Sequence, residues 1–308
     1  MKNSVMHHRL IFVSVHYLFA VLLANVVWLA GCQPHPSSSE AEETLITDST
    51  RIVSVNSAIT EILCELGYAK NIVGLDITST YPDSIQDRPK VGYNRNVSVE
   101  GILSLEPDMV IGVSNAMKPE QETLLAQSGL DLILFDQDLT YEGAKQFLTT
   151  VADSLGKSEE GGRLLDQMEA DAACAQGAEV DSPLVLFVYA RGAGTLSVAG
   201  EGTQVQEIIQ LAGGKNPDLG FEDFKPLSPE ILVQANPDII LMFESGMNSL
   251  AGPQGLMEVP GMMDTEAGKN QRFVTIDGVL LTNFGPRLGK AICELSEKIH
   301  ENQSAVSL

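Results

Sequence analysis

The sequence predicts an α/β protein made of two similar Rossmann-like lobes, joined by a long interlobe helix, with a ligand cleft between the lobes. Three observations predict this fold: a motif that recurs 130 residues later, an apolar strand placed before a helix in each half, and a charged helical stretch between the halves. The chain has 308 residues, of which 44% are hydrophobic and 19% charged, which is typical of a globular protein with room for two domains.

Residues 1–31 are predicted to be an export signal. Lys2 and Arg9 precede an apolar run from Leu10 to Ala30, and small residues follow it. The ending Leu-Ala-Gly-Cys resembles the lipobox of bacterial lipoproteins, in which Cys32 is lipidated and becomes the first mature residue. A transmembrane anchor is the alternative, because the apolar run is long enough to span a bilayer. Both interpretations place the rest of the chain outside the cytoplasm.

The remaining chain divides by composition and pattern. Residues 32–50 are polar and rich in Pro, Ser and Glu, which predicts a flexible tether. An N-terminal lobe is expected at 51–140, linker helices at 141–180 and a C-terminal lobe at 181–308. Beyond Cys32 there are three cysteines, so at least one is unpaired. We expect buried thiols at Cys64 and Cys293, because both lie in apolar helical patterns.

The repeated motif spans Ser98–Asp108 and Ser228–Asp238. In each copy Ser is predicted to cap a short helix, Glu lies in its first turn, and Pro-Asp ends it before an apolar strand. A second similarity links Glu61–Gly67 with Glu207–Gly213, each an amphipathic helix that a glycine ends. The order strand, helix, short helix, strand is therefore expected twice.

Strands are predicted before and after these helices, and two helices between the lobes. The strand segments are Arg51–Val55, Ile72–Asp76, Met109–Val113, Leu184–Tyr189 and Ile239–Phe243. Between the lobes, helical patterns run over Tyr141–Leu155 and Ser158–Gln176. A single crossing through a long helix predicts a stiff hinge that permits only modest closure.

Charge and histidine content exclude several functions. The net charge is −22, so a nucleic-acid partner is not expected. Beyond the signal only His35 and His300 remain, too few for a histidine-rich metal site, and a Ser-His-Asp triad would need a terminal histidine. Because no nucleophile elbow or phosphate-binding loop occurs either, we expect no enzymatic activity.

The predicted lipoprotein signal, the duplicated lobes and the interlobe helix resemble the helical-backbone (class III) substrate-binding proteins of ABC importers. That class includes binders of vitamin B12, siderophores and haem, and the resemblance covers Arg51 to His300. Several motifs resemble the haem-binding branch: Val91-Gly-Tyr-Asn-Arg95, Tyr189-Ala-Arg-Gly-Ala-Gly194, Gly220-Phe-Glu-Asp-Phe-Lys-Pro-Leu-Ser228 and Asn283-Phe-Gly-Pro-Arg287. The resemblance implies a monomeric protein that delivers haem, its transported ligand, to an ABC permease and its ATPase. The alternative is a corrinoid or ferric-siderophore binder of the same class.

The resemblance also implies residue roles. Tyr93 is the implied axial ligand of ferric iron, a hard cation that suits a phenolate oxygen. Arg95 is expected to lie on the same side of an extended loop and to favour the phenolate. Tyr81 is the rival, as a second ligand or as a side chain stacked on the porphyrin. From the other lobe the haem-binding set contains Tyr189, Arg191 and Lys225, the two cations as partners of the propionates.

Two glutamates occupy matching positions in the repeat, Glu100 and Glu230. In the resembled class such glutamates pair with arginines of the permease, so we expect a docking role. Each also stabilises the first turn of its helix. Some relatives carry His at the position of Arg191 and bind a second haem; Arg argues against that here. Arg287 is expected to support the start of a helix.

Overall fold

The computed structural model describes residues 46–175, 182–192, 194 and 196–301. The predicted signal, Cys32, most of the tether and Gln176–Val180 of the linker lie outside the described residues. The described residues form two sheets with a pair of helices between them, as the sequence predicts. In these ranges no helix has the length and apolar character needed to cross a membrane.

The N-terminal lobe is built on a parallel sheet with the strand order β2-β1-β5-β6. Strands β1, β2 and β5 are fully or largely buried, which is typical of a parallel sheet covered on both faces, whereas the edge strand β6 is only partly buried. The strands are β1 Ile52–Ser54, β2 Ile72–Leu75, β5 Met109–Val113 and β6 Asp131–Phe135. The helices are α1 Ser57–Glu65, α2 Val99–Leu103 and α3 Pro119–Gln127, and short 3₁₀ turns lie at Ala69–Asn71 and Asp83–Ile85.

A small hairpin extends this sheet at one end. It consists of β3 Gly92–Tyr93 and β4 Asn96–Val97. The chain before it runs parallel to β2, with a bridge between Leu75 and Lys90. The Ile77 N–H then donates to the Gly92 carbonyl at 2.9 Å. The hairpin therefore lies beyond the carboxyl end of β2.

Two antiparallel helices connect the lobes, α4 Tyr141–Ser154 and α5 Ser158–Ala172, followed by a 3₁₀ turn at Ala173–Ala175. The first part of α4 packs on the core of the C-terminal lobe and its second part on the core of the N-terminal lobe. α5 also contacts both cores, and its 15 residues span about 22 Å. Gly161 lies against Ala152 of α4 so closely that a side chain would not fit there. This contact packs α5 closely against α4; the stiffness of the connection stays a prediction.

The C-terminal lobe is a mixed sheet with the order β11-β10-β7-β8-β9. Its strands are β7 Val185–Ala190, β8 Leu196–Ala199, β9 Phe224–Pro226, β10 Ile239–Phe243 and β11 Phe273–Ile276. Its helices are α6 Gln204–Leu211, α7 Pro229–Ala235, α8 Glu244–Ser249, α9 Pro253–Met257, α10 Glu266–Lys269, α11 Gly278–Thr282 and α12 Leu288–His300, with a 3₁₀ turn at Met262–Asp264.

The sequence repeat is also a repeat of hydrogen bonds. The Ser98 hydroxyl accepts from the Gly101 N–H at 3.0 Å, and the Ser228 hydroxyl accepts from the Ile231 N–H at 3.3 Å. The aspartates at the ends of the two motifs also make matching hydrogen bonds. Asp108 accepts from the Arg51 N–H at 2.7 Å, and Asp238 from the Leu184 N–H at 2.8 Å. Each aspartate thus fixes the start of the first strand of its own lobe.

The two lobes differ in one respect from the predicted order. In the C-terminal lobe β8 lies between β7 and α6, so the prediction that α6 directly follows β7 was wrong. Gly192, with a φ of 78°, contributes to the reversal of the chain after β7. As a result β8 pairs antiparallel beside β7, on the side where β2 lies beside β1.

The end of the predicted tether belongs to the N-terminal lobe. Ile46 is only 3% exposed and lies in the core of that lobe. The side-chain amide of Asn71 donates to the Thr47 and Thr50 carbonyls, both at 2.8 Å. The prediction of a flexible segment up to residue 50 was therefore wrong for residues 46–50. The prediction failed because the segment is polar overall, and its one buried apolar residue, Ile46, does not change that composition.

The cysteine prediction holds in part. Cys64 is a free, partly buried thiol that packs on the N-terminal core. Cys293 is not a thiol: it forms a disulfide with Cys174, across a sequence separation of 119 residues. The prediction for Cys293 was wrong because its partner lies on the turn after α5, a proximity that the linear sequence does not show.

Candidate functional site

The carboxyl ends of the two sheets face each other. Ser57, which follows β1, donates through its hydroxyl to the side-chain carbonyl of Asn283 at 2.6 Å. Gln137, which follows β6, donates to the Asn283 backbone carbonyl at 3.1 Å. Asn283 itself follows α11, beyond the carboxyl end of β11. Loops at these ends form ligand clefts in α/β proteins, so the candidate site lies between the lobes.

An ion pair joins the lobes at the base of this cleft. Arg287 donates from Nε to Oε2 of Glu61 at 2.9 Å and from Nη2 to Oε1 at 2.5 Å. The Glu61 side chain is only 2% exposed. Burial raises the pKa of Glu61, although the hydrogen bonds and positive charge of Arg287 act in the opposite direction. Our sequence reasoning missed this pair, and the available signal was an acidic residue on the apolar face of α1.

Tyr81 lies on the loop after β2 and contacts the same arginine. The guanidinium carbon of Arg287 is 3.8 Å from the centroid of the Tyr81 ring, a cation–π contact between the lobes. The Tyr81 side chain is 37% exposed. One face of its ring is therefore covered by protein, which leaves the other face and the edge for a ligand. The Arg287 side chain itself makes no cap for α12, although the residue immediately precedes that helix.

Tyr93 is the most exposed of the expected site residues with an aromatic ring. It lies on β3, opposite Asn96 of β4, and its side chain is 58% exposed. Among the described residues no hydrogen bond reaches its phenol oxygen. The hairpin places this residue beyond the carboxyl end of β2, on the same side of the lobe as the Tyr81 loop.

Arg95 does not lie on extended backbone. Because Tyr93 pairs with Asn96, Asn94 and Arg95 form the two-residue turn of the hairpin. The expectation that the side chains of Tyr93 and Arg95 point the same way along an extended loop was wrong. The Arg95 backbone N–H donates to the side chain of Asn94 at 2.8 Å, and its guanidinium group makes no ion pair within the described residues.

The arrangement expected for Tyr93 and Arg95 is found in the other lobe. At the carboxyl end of β7, Nε of Arg191 donates to the phenol oxygen of Tyr189 at 2.5 Å. The Tyr189 ring also packs edge-on against Phe243, with 5.9 Å between the ring centroids. A cation and a ring therefore hold this phenol in place. The Arg191 side chain is exposed and retains free donors.

Lys225 lies on β9 with Phe224, and the two side chains point to opposite faces of the strand. The ammonium nitrogen of Lys225 is 4.5 Å from the centroid of the Phe221 ring. Phe224 packs edge-on against Phe187, at 6.3 Å between centroids, and remains exposed. Our sequence reasoning did not select Phe224 as a site residue. The sequence offered one sign of this role, because Phe224 lies between Asp223 and Lys225, and an aromatic residue between two charged residues is often exposed.

Glu100 and Glu230 are both exposed in the first turns of α2 and α7. Hydrogen bonds from its own backbone N–H and from Ser228 lower the pKa of Glu230. The direction of this shift is the one expected for a carboxylate in the first turn of a helix.

An open pocket of about 830 Å³ adjoins the start of α4, and none of the expected site residues lines it. Its lining comes from the segment after β6 and from α6: Asp138, Leu139, Thr140, Gly202, Thr203, Gln204, Gln206, Glu207, Gln210 and Leu211. Nowhere in the described ranges do three or more His, Cys, Asp or Glu side chains form a group that could hold a metal ion.

Two lobes with facing sheet ends, two connecting helices, and tyrosine and arginine side chains at the sheet ends define a two-lobed substrate-binding protein. The sequence agrees: residues 52–280 match the periplasmic binding protein family, and the chain belongs to that family.

Named relatives differ in what they bind. The structure of the periplasmic heme-binding protein RhuT from Roseiflexus sp. RS-1 in apo form is 39% identical, with a TM-score of 0.78, and the match covers 82% of this chain and 98% of that chain. The ABC transporter substrate-binding lipoprotein YvrC of Bacillus subtilis is 24% identical over 92% of this chain and 96% of its own. A cobalamin-binding protein of Halobacterium salinarum is 23% identical over 86% and 73% respectively.

Proposed function

We propose that this chain is the extracytoplasmic, lipid-anchored substrate-binding protein of a haem importer, which holds ferric haem in the interlobe cleft. One observation carries the proposal: the sequence Tyr-x-Arg occurs at the carboxyl end of a strand in each lobe, as Tyr93-Asn-Arg95 and as Tyr189-Ala-Arg191. We thus assign a phenol and a guanidinium group to each side of the cleft.

These groups suit the chemistry of haem. Ferric iron is a hard cation, and a phenolate oxygen is a hard ligand that other haem proteins use. The porphyrin is flat and apolar, which suits exposed rings such as Tyr81 and Phe224. The propionates are carboxylates, for which a guanidinium group is the matching fork-shaped donor.

Tyr93 is our candidate for the axial ligand. Its phenol is exposed and free of hydrogen bonds within the described residues, whereas Arg191 already engages the Tyr189 phenol. Tyr189 is the second candidate, because it lies at the carboxyl end of β7 and Nε of Arg191 donates to its phenol oxygen at 2.5 Å. Tyr81 ranks third, since Arg287 covers one face of its ring.

The cations Arg95, Arg191 and Lys225 are assigned to the propionates. A chain with a net charge of −22 repels anions at long range, so an anionic ligand needs cations close to it. All three side chains are exposed; Arg95 and Arg191 lie beyond the carboxyl ends of β2 and β7, and Lys225 lies on β9, level with Val188 of β7. Arg191 has free donors on the side away from Tyr189.

Delivery completes the proposal. The lipid at Cys32 would hold the monomeric chain at the membrane, and Glu100 and Glu230 would meet arginines of an ABC permease whose ATPase drives import. The stiffness of α5 permits only modest closure on the ligand. The chain performs no catalytic step. In support, YvrC is named an ABC transporter substrate-binding lipoprotein.

The corrinoid alternative has one specific observation in its favour, the match to a cobalamin-binding protein. The haem assignment has stronger support, because RhuT shares 39% of its residues with this chain against 23% for the cobalamin-binding protein.

The test is a titration of residues 33–308 with ferric haem, followed in the Soret region. We expect a saturable band with the charge-transfer features of tyrosinate-ligated ferric haem. Tyr93→Phe should remove those features, whereas Tyr189→Phe and Tyr81→Phe should alter them less. Tyr141→Phe, on the linker helix α4, is the matched control and should behave as the unmodified chain.

The results discriminate clearly among the alternatives. Loss of the features in Tyr189→Phe alone would move the ligand to the C-terminal lobe. Tight cobalamin binding without a saturable Soret band would replace haem by a corrinoid.

A further inference from the structure

The Tyr81 ring lies in the N-terminal lobe but is covered on one face by a residue of the other lobe. The guanidinium carbon of Arg287 is 3.8 Å from the ring centroid. The carboxylate of Glu61, on α1 of the N-terminal lobe, accepts two hydrogen bonds from that same guanidinium group. The ring is therefore backed by a cation only while the two lobes lie together. The ligand site described so far gives Arg287 no role in binding.

The loop that carries Tyr81 is anchored on the same helix as this ion pair. The Ser79 hydroxyl shares a hydrogen bond of 2.8 Å with the hydroxyl of Thr60 on α1, and both residues are completely buried. Thr60 immediately precedes Glu61 in the sequence. Helix α1 thus fixes the loop through Thr60, and it fixes the ring through Glu61 and Arg287.

The ion pair is rigid enough to hold a ring. The side chains of Glu61 and Arg287 are only 2% and 19% exposed, so little water competes for their hydrogen bonds. A guanidinium group can engage a carboxylate with its N–H donors and an aromatic ring with its face at the same time. Because neither charge is stable in this position without the other, the arrangement exists before any ligand arrives.

The corresponding glutamate of the other lobe holds no cation. Glu207 occupies in α6 the place that Glu61 occupies in the related helix α1. Its carboxylate accepts from the backbone N–H of Tyr141, at the start of α4, at 2.6 Å, and it forms no ion pair with any residue that the structure describes. The link from a glutamate through an arginine to an aromatic ring therefore occurs in one half of the repeat, the half that carries Tyr81.

We infer that Arg287 is a positioning residue of the ligand site: held by Glu61, it fixes the Tyr81 ring as a stacking surface for the flat face of the ligand. The inference rests on the proposed function, which supplies a flat ligand, and it adds a residue that acts through Tyr81. A ring that is already fixed loses little conformational freedom when a ligand stacks on it, which strengthens binding. Because the arginine comes from the other lobe, contact between the lobes then contributes to affinity.

The first test is a double-mutant cycle on the affinity of residues 33–308 for ferric haem. Arg287→Met is combined with Glu61→Gln, so that no buried carboxylate is left unpaired. Glu61→Gln/Arg287→Met should weaken binding about three- to fivefold. The same two substitutions should have an effect of less than about twofold when Tyr81→Leu has removed the ring, and their full effect when Tyr81→Phe has kept it. An equal loss with and without the ring would overturn the inference.

Two ligand analogues separate stacking from the other roles of an arginine. Metal-free protoporphyrin IX lacks the iron, and haem dimethyl ester lacks the charges of the propionates. Glu61→Gln/Arg287→Met should weaken the binding of both by a similar factor, because stacking requires neither group. If the affinity for the dimethyl ester were unchanged, Arg287 would be a partner of the propionates and the inference would be wrong.

The related contact in the other lobe provides the matched control. Glu207→Met removes the acceptor of the Tyr141 N–H and leaves Tyr81 and Arg287 in place. It should lower stability but change haem affinity by less than about twofold. A loss of affinity as large as that of Glu61→Gln/Arg287→Met would point to a general loosening of the chain and would overturn the inference.

A measurement without ligand separates this inference from the proposed function. Of the six tyrosines only Tyr17 precedes residue 33, so residues 33–308 labelled with meta-fluorotyrosine should give five fluorine NMR resonances, among which Tyr81→Phe identifies that of Tyr81. This resonance should shift in Glu61→Gln/Arg287→Met, whereas those of Tyr68 and Tyr141 should not. An unmoved Tyr81 resonance would overturn the inference. If the resonance shifted and the unmodified chain bound no haem, the ligand assignment would fail while the positioning of the ring by Arg287 remained.

Discussion

Arg287 of the C-terminal lobe forms two hydrogen bonds with Glu61 of the N-terminal lobe, and its guanidinium group lies against the ring of Tyr81. The pair therefore connects the two lobes to each other and to a residue of the candidate ligand site. Because Glu61 is almost fully buried, the charge of either partner is costly without the other.

Arg287→Met should lower the free energy of unfolding by about 3 kcal/mol near neutral pH, because it leaves the buried Glu61 carboxylate unpaired. Burial already raises the pKa of Glu61, and the substitution removes hydrogen bonds that lower it. A raised pKa means stability that is fully present below the unfolded value of about 4.3 and is lost as pH rises through the folded value. The variant should therefore lose less stability near pH 5 than near pH 8, as measured by urea unfolding.

The matched control is Arg163→Met, which removes an exposed ion pair with Glu159. It should change stability by less than about 0.5 kcal/mol at either pH. The double variant Glu61→Gln/Arg287→Met should recover much of the loss. Equal destabilisation by Arg287→Met and Arg163→Met would contradict a structural role for the interlobe pair.

The disulfide between Cys174 and Cys293 should stabilise the chain by about 4 kcal/mol, because it closes a long loop in the unfolded state. Cys174→Ala/Cys293→Ala should shift the urea midpoint accordingly, while Cys64→Ala shifts it far less. A thiol assay of unfolded, non-reduced residues 33–308 should find one thiol per chain. Three thiols would show that the disulfide is absent.

Burial raises the pKa of Cys64 to about 12, and the neighbouring charges of Glu65 and Glu61 add to the shift. The thiol should therefore react slowly with maleimide at about pH 8.5 in the folded chain and rapidly in about 6 M urea. An unfolded cysteine ionises near pH 8.5, so this thiol's contribution to stability is present below that pH and declines as pH rises towards 12. Cys64→Ser should lose that component of the pH dependence. Equal labelling rates in folded and unfolded chains would contradict the shift.

Arg191→Met should weaken ferric haem binding about tenfold, because a charge-assisted hydrogen bond to a propionate is worth about 1.5 kcal/mol. The same substitution should have little effect on haem dimethyl ester, in which the propionates carry no charge. A similar loss with both ligands would show that Arg191 acts through the Tyr189 phenol instead. Arg163→Met serves again as the control, and competitive Soret titration provides the measurement.

Local sequence patterns predicted most of the fold. The caps at Ser98 and Ser228, and the strands Met109–Val113 and Ile239–Phe243, lie where the sequence places them. Capping and strand formation depend on neighbours within a few residues, so these patterns are visible in the sequence. The short apolar segment at Ile46 was missed because one buried residue does not alter the composition of a polar stretch.

Residues 93–95 and 189–191 show where local reasoning failed within the candidate site. Both segments read Tyr-x-Arg, yet only Arg191 contacts its tyrosine. The difference arises because Arg95 lies in a hairpin turn, whereas Tyr189 lies near the end of a strand and Arg191 follows that end. Where the tyrosine and arginine side chains point is decided by how each segment pairs with its neighbouring strand, and not by their separation of two residues in the sequence.

The sequence by itself determined the duplicated lobes, the helix that joins them and the tyrosines available for a ligand, because each follows from patterns within short segments. Which distant groups meet depends on the tertiary structure: Glu61 pairs with Arg287, and Cys174 with Cys293. Such contacts join residues far apart in sequence, and only the packing of the two lobes and their helices fixes the distances between them.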